Sequence, residues 1–217
     1  MHLVIRIGSK LSEGGELKED YFHSFLASLI YLIYAQTIML KAFKALILTA
    51  DKFEDMELFF PYFRLLEEEM EVDIAAPKKG HIEGEHGYGL EIEKTFDDAQ
   101  PDNYDILLIP GGAPTGAPLV VRANLKAQAI AKSFFNSNKP VCSICHGPWL
   151  LASAGVVKGR HLTSFWYDGV PEEIRKAGGI YEDKEVVVDG NLVTSRYPGD
   201  LPAFMRETMR LINKIKK

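Results

Sequence analysis

From residue 43 onward, short apolar runs alternate with stretches whose apolar residues recur at helical spacing. Phe43–Ala50 (FKALILTA) predicts a buried strand, and Glu54–Glu69 predicts a helix. In that helix Met56, Phe59, Phe60, Phe63, Leu65 and Leu66 form the expected core side, and Glu67–Glu69 a solvated end. Val72–Ala76 reads as a second strand. Gly80–Glu93 holds four glycines and closes on the alternating Leu90–Glu93, which predicts a hairpin or edge ribbon. Further strands are expected at Asp105–Pro110, Pro140–Cys145, Arg160–Phe165, Val186–Val188 and Leu192–Ser195. Helices are expected at Leu125–Phe135, Gly147–Ala154 and from Leu201, the last with Asp200 as its N-cap. Strands separated by helices imply βαβ units, hence an α/β domain over residues 43–217 whose mostly parallel sheet is covered on both faces.

Residues 1–42 differ in character. A polar stretch of 20 residues precedes Tyr21–Leu40, which lacks Lys, Arg, Asp and Glu. That length would just span a bilayer, but His23, Ser24, Ser28, Gln36 and Thr37 weaken it, and no short basic leader precedes it. The expectation is an extra apolar helix or an upstream stretch with Met39 as the true start; a membrane anchor is the alternative.

Composition narrows the function. The chain is 47% hydrophobic and 25% charged, enough for an ordinary core. A net charge of −5 without a basic block argues against nucleic-acid partners. Two cysteines, Cys142 and Cys145, are too few for a disulfide framework, which points to a reducing, cytoplasmic setting.

In such folds chemistry gathers beyond the carboxyl ends of the strands. In Ser143-Ile144-Cys145-His146-Gly147-Pro148 an apolar strand runs into a Cys and then a helix start, the pattern of a nucleophile elbow. A thiol at a helix N-terminus is expected to have its pKa lowered. The His146 N–H is positioned to serve an oxyanion. Cys142 reads as core, and a Cys142/Cys145 redox or zinc pair is the weaker reading because no further cysteine exists to complete a metal site. Pro110-Gly111-Gly112 after another strand supplies a second backbone donor at Gly112. It lacks a nucleotide-binding pattern. Among the acids of Asp51–Glu57, Glu57 or Glu54 can lean toward the thiol, protonated if desolvated. Trp166 and Tyr167 are candidates to rim the pocket. His81, Glu83, Glu85 and His86 read as solvated hairpin residues rather than a metal site.

The segments ADKFEDMEL, DILLIPGG, VCSICHGP and VVVDGNLVTSRYPGDL together resemble the ThiJ/PfpI superfamily, most closely its PfpI-type branch, over roughly residues 43–215. The resemblance implies a flavodoxin-like three-layer sandwich that assembles as dimers or larger homo-oligomers and needs no cofactor or metal. It implies Cys145 as nucleophile, His146 as its neighbouring base, Glu57 as the carboxyl on the thiol and Gly112 as the oxyanion glycine. The branch also has a Glu shortly after the paired glycines that reaches a neighbouring subunit's histidine. Ala113–Val121 has no acid here, so Asp168 or a partner's acid would have to substitute. The implied activities are glyoxalase III-like or deglycase-like chemistry on reactive aldehydes or glycated protein, with peptide hydrolysis or a redox-sensing stress chaperone as alternatives.

Overall fold

The computed structural model describes residues 28–30 and 43–215. The chain divides into two units, Met1–Lys41 and Ala42–Lys217, and the α/β architecture is that of the second. The expectation for Tyr21–Leu40 lies outside the described residues except at 28–30. Among the described residues no helix is long and apolar enough to cross a membrane.

The elements are, in chain order, β1 Lys44–Leu48, α1 Asp55–Glu67, β2 Glu71–Ala76, β3 Gly80–Glu83, β4 Gly89–Ile92, β5 Lys94–Thr95, β6 Ile106–Ile109, α2 Ala117–Ala123, α3 Leu125–Asn136, β7 Val141–Ile144, α4 Pro148–Ser153, β8 His161–Leu162, α5 Val170–Lys176, β9 Ile180–Tyr181, β10 Val186–Asp189, β11 Leu192–Ser195 and α6 Leu201–Ile215. The main sheet runs β10-β11-β7-β6-β1-β2-β5, parallel throughout except for the antiparallel β10–β11 hairpin at one edge. This is a three-layer, flavodoxin-like α/β sandwich.

Strand alternation explains the layering. Leu46, Leu48, Leu107 and Ile109 pack with residues of α2, α3, α4 and α5. Ala45, Ile47, Ile106, Leu108 and Cys142 face the opposite core with Leu65 of α1 and Phe204, Met205 and Ile212 of α6. A strand buried on both faces is apolar at every position, so these strands read as continuous runs rather than alternations.

Four local expectations are corrected. Helix α1 is apolar almost all round; it buries Leu58, Pro61 and Leu65, and turns Met56 (56% exposed) and Phe63 (61% exposed) outward with Phe60 and Leu66. The expected core side is therefore largely its outer side. The Arg160–Phe165 strand shrinks to the two residues of β8, which leave the main sheet to pair with β9. Helices α2 and α5, not among the expected helices, begin at Gly-X-Pro sequences, where proline sits at the first helical turn. Asp200 lies in a 3₁₀ turn before α6, and its carboxylate binds Arg196 at 2.8 Å.

Candidate active site

Four segments meet beyond the carboxyl ends of β1, β6, β7 and the short β8. The first is the turn after β7. Cys145 stands between Ile144 and the first turn of α4 with φ of 62°. A non-glycine residue there costs on the order of 1–3 kcal/mol and persists only when its surroundings fix it. Here the Cys145 N–H donates to Ser195 O at 3.1 Å, and Phe165 N–H donates to Cys145 O at 2.9 Å. Gly147 completes the turn: a Cβ there would stand 2.4 Å from Ile109 O. The elbow is thus wedged between the ends of its neighbouring strands.

The second segment is Gly111-Gly112. A Cβ on Gly111 would lie 2.6 Å from both Cys145 Cβ and Glu57 Oε2. Only glycine lets this backbone pass between the thiol and the carboxyl. Gly112, with φ of 150°, bridges to Phe53 in the loop after β1. Gly112 and His146 both turn backbone N–H groups toward the Cys145 sulfur.

That loop and the start of α1 carry the acids, and each has a separate task. Asp51 accepts from Glu83 N–H at 2.9 Å. Asp55 accepts from His86 and Tyr88 N–H at 2.9 and 3.0 Å, which docks the β3–β4 turn. Glu54 caps α1 by accepting from Glu57 N–H at 2.7 Å. This leaves Glu57, fully buried, to face the thiol. Its Oε2 accepts from Gly111 N–H at 2.8 Å, while Oε1 has no hydrogen-bond partner among the described residues. Burial, reinforced by Glu54, holds the Glu57 carboxyl protonated well above the usual range. The orphan oxygen is the natural seat of that proton.

The fourth segment, after β8, brings an acid to His146. His146 Nδ1 lies 3.2 Å from Cys145 Sγ, and Nε2 lies 3.0 Å from Asp168 Oδ2. A carboxylate accepts, so Nε2 carries the hydrogen and Nδ1 turns its lone pair to the thiol. Burial lowers the His146 pKa and the Asp168 charge opposes that shift. Neutral imidazole is therefore the resting form near pH 7. Asp168 has φ of 59° and Gly169 φ of 78°, a left-handed pair that tips the carboxylate back onto the ring.

The thiol itself departs from the expectation. Burial, with Glu57 next in weight, pushes Cys145 well above its ordinary value, against the pull of the two backbone N–H groups. Helix α4 has only six residues and cannot offset that with its dipole. Cys145 is therefore held as a thiol and is 6% exposed. Cys142 is buried against Thr208 of α6, its thiol pushed up to about 12, and both cysteines are free.

Phe165 packs tilted against His146 at 4.9 Å, and Trp149 lies 5.2 Å from the same ring. Neither is evident from sequence, because β8 ends before Phe165. Trp166 and Tyr167 follow Phe165 in the chain, 38% and 64% exposed. Arg196 and Tyr197, beyond the end of β11, join them; they lie in the VVVDGNLVTSRYPGDL segment but are not among the expected site residues. His81 pairs with Glu91, and no group of three or more metal-binding side chains occurs among the described residues.

Residues 43–211 match the DJ-1/PfpI family. The chain belongs to the DJ-1/PfpI family. Within it, the chain is 52% identical over 169 residues to deglycase PfpI of Pyrococcus furiosus, covering 78% of this chain and 99% of that one. It is 40% identical over 172 residues to protein/nucleic acid deglycase 2 of Escherichia coli, covering 78% and 97%. The crystal structure of Drosophila melanogaster DJ-1beta superposes with a TM-score of 0.71 at 25% identity, covering 81% of this chain and 93% of that one.

Proposed function

We propose that this chain is a cofactor-independent enzyme that attacks reactive α-oxoaldehydes and their adducts through Cys145, a deglycase with glyoxalase III-like chemistry. One observation carries the reading: Cys145 is only 6% exposed, which favours attack on a small flat carbonyl over a polypeptide backbone. The deglycase names of the similar proteins support it.

In this reading Cys145 S–H passes its proton to His146 Nδ1 as sulfur adds to the aldehyde carbon of methylglyoxal, forming a hemithioacetal. The imidazolium is stabilised by Asp168. The Gly112 and His146 N–H groups and the Glu57 O–H face the new anion. Removal of the C1 proton and return of a proton to C2 convert the hemithioacetal to the thioester of lactate. Water then releases lactate and regenerates the thiol. His146 and Glu57 carry the protons, and no redox partner or metal enters the balance.

Peptide or amide hydrolysis is the second reading, favoured by Asp168. The sequence lacks an acid after the paired glycines, but the Cys145–His146–Asp168 chain supplies one to the same histidine. We place the enzyme in the cytoplasm, where free thiols persist. We also propose that it is a homodimer, because Met56, Phe60, Phe63 and Leu66 form an apolar outer stripe on α1 that solvent alone would leave exposed. The test assays purified protein against methylglyoxal, preformed methylglyoxal adducts and fluorogenic peptides. Lactate release and adduct removal support the reading. Peptide cleavage without either would replace it with the second.

A further inference from the structure

The outer edge of the main sheet is notched. Strand β5 has two residues and pairs with β2 only at Ala75 and Ala76. Residues 71–74 of β2 therefore have no strand beyond them. Glu71 N–H donates to Phe43 O and Ala75 O accepts from Thr49 N–H, both on the β1 side. By alternation Val72 and Ile74 turn their backbone groups toward the notch. Helix α1 flanks the notch, and so does β4, which pairs with β3 rather than with β2. Between them lies a cavity of about 350 Å³, walled by Phe59 and Tyr62 of α1, Val72 and Ile74 of β2, and Leu90 of β4. Small-molecule sites span about 300–1,000 Å³, so this one suits a small guest. None of these residues belongs to the site around Cys145.

The aromatic walls are braced from behind. Phe59 meets Phe53 at 5.9 Å and Tyr88 at 6.1 Å, both edge to face. Phe63 lies 6.2 Å from Phe59 and 5.2 Å from Tyr62. A guest lying against such fixed rings orders little.

The charge at the cavity has a sign. Lys94 stands 3.5 Å from Asp73, Lys44 stands 3.2 Å from Asp73, and Lys44 also meets Glu71 at 3.2 Å. These two lysines and two acids offset one another. Glu91 and Glu93 are left at the exposed rim. His81 Nδ1 lies 3.0 Å from Glu91 Oε1, while the Glu93 carboxylate has no partner among the described residues. The cavity thus joins apolar walls and π faces to spare negative charge. An amphiphilic cation uses all three, whereas a guest bearing a carboxylate is repelled by Glu91 and Glu93.

We propose that the notch between α1, β2 and β4 is a binding site for a small protonated amine with an apolar body. Its ammonium is held by Glu93 and Glu91, and its body lies against Phe59 and Tyr62. The site stands apart from Cys145 and does not depend on the reaction proposed above.

The test titrates tryptamine into the full chain by isothermal calorimetry at low salt, with indole-3-propionate as the anionic counterpart of the same ring. The wild type binds tryptamine with a Kd on the order of 0.1–1 mM, as suits a guest of this size, and indole-3-propionate at least about tenfold more weakly. Glu93→Lys changes an exposed side chain, weakens tryptamine about tenfold or more, and removes its advantage over indole-3-propionate. Leu90→Trp fills the cavity without changing charge and abolishes saturable tryptamine binding. Circular dichroism establishes that each variant is folded, and Glu93→Lys decides alone if Leu90→Trp is not. Four results overturn the proposal: no saturable tryptamine binding up to about 10 mM, equal wild-type affinity for indole-3-propionate, a tryptamine Kd within about twofold of wild type in Glu93→Lys, or binding that survives in folded Leu90→Trp.

Discussion

Replacing Asp168 with Asn removes the charge behind His146 while keeping its size. In the wild type, Oδ2 holds Nε2–H at 3.0 Å and so leaves the Nδ1 lone pair facing Cys145 Sγ at 3.2 Å. An amide can donate as well as accept, so the ring can carry its hydrogen on Nδ1, where it cannot take the thiol proton. The developing imidazolium also loses a charge-assisted hydrogen bond, worth about 1.5–3 kcal/mol. The Asp168 side chain is 41% exposed, which puts the effect at the low end of that range. With about 1.36 kcal/mol per decade and the tautomer loss added, kcat/KM for methylglyoxal falls about 10- to 100-fold. The pH profile gives a second signature. His146 must be neutral to act, and Asp168 is what opposes the burial that lowers its pKa. Asp168→Asn therefore moves the acid limb to lower pH while the plateau drops, and Asp168→Glu recovers part of the plateau. A plateau within twofold of wild type, or an acid limb moved to higher pH, refutes the assignment.

Three further outcomes follow from the same geometry. Glu57 has a raised folded pKa, so the stability it contributes is complete below the unfolded value near 4.3 and is lost as pH rises toward the folded value. Glu57→Gln flattens that decline in urea melts taken between about pH 4 and 8, and lowers turnover; an unchanged slope contradicts a buried neutral carboxyl. Gly111→Ala drives a methyl to 2.6 Å from Cys145 Cβ and Glu57 Oε2, with an expected loss of about 1–3 kcal/mol in stability and at least about 100-fold in kcat/KM, measured by denaturation and turnover. Phe60→Glu with Phe63→Glu gives a monomer by sedimentation velocity with a native circular dichroism spectrum, because both rings lie on the outer side of α1.

The layered fold was legible because buried parallel strands announce themselves as unbroken apolar runs, and the runs at β1, β2, β6 and β7 all became strands of the main sheet. What failed was direction. Helix α1 is apolar on both sides, so its period alone could not say that Leu58 and Leu65 point inward and Phe63 outward. Glu57 and Glu54 were alternatives that only the capping of α1 by Glu54 separates, whereas the elbow, Gly112 and His146 were readable from strand-end position and residue type. The electrostatics were not: a short run after β7 looks like a helix dipole that lowers the thiol pKa, whereas its burial raises it. Asp168 stood out only as a possible substitute, because its reach to His146 depends on a left-handed turn far along the chain. The aromatic wall of Phe165, Trp149 and Tyr197 is made by three separate segments and has no local signature.

The central claim is that Cys145 performs the chemistry while Cys142, three residues away, stays inert in the core. The most direct measurement is the rate of lactate formation from methylglyoxal by the wild type, Cys145→Ser and Cys142→Ser, each first shown to be folded. The account predicts a loss of about three orders of magnitude or more for Cys145→Ser, as for removal of other catalytic nucleophiles, and a rate within tenfold of wild type for Cys142→Ser. A Cys145→Ser protein that keeps a tenth of the wild-type rate contradicts it.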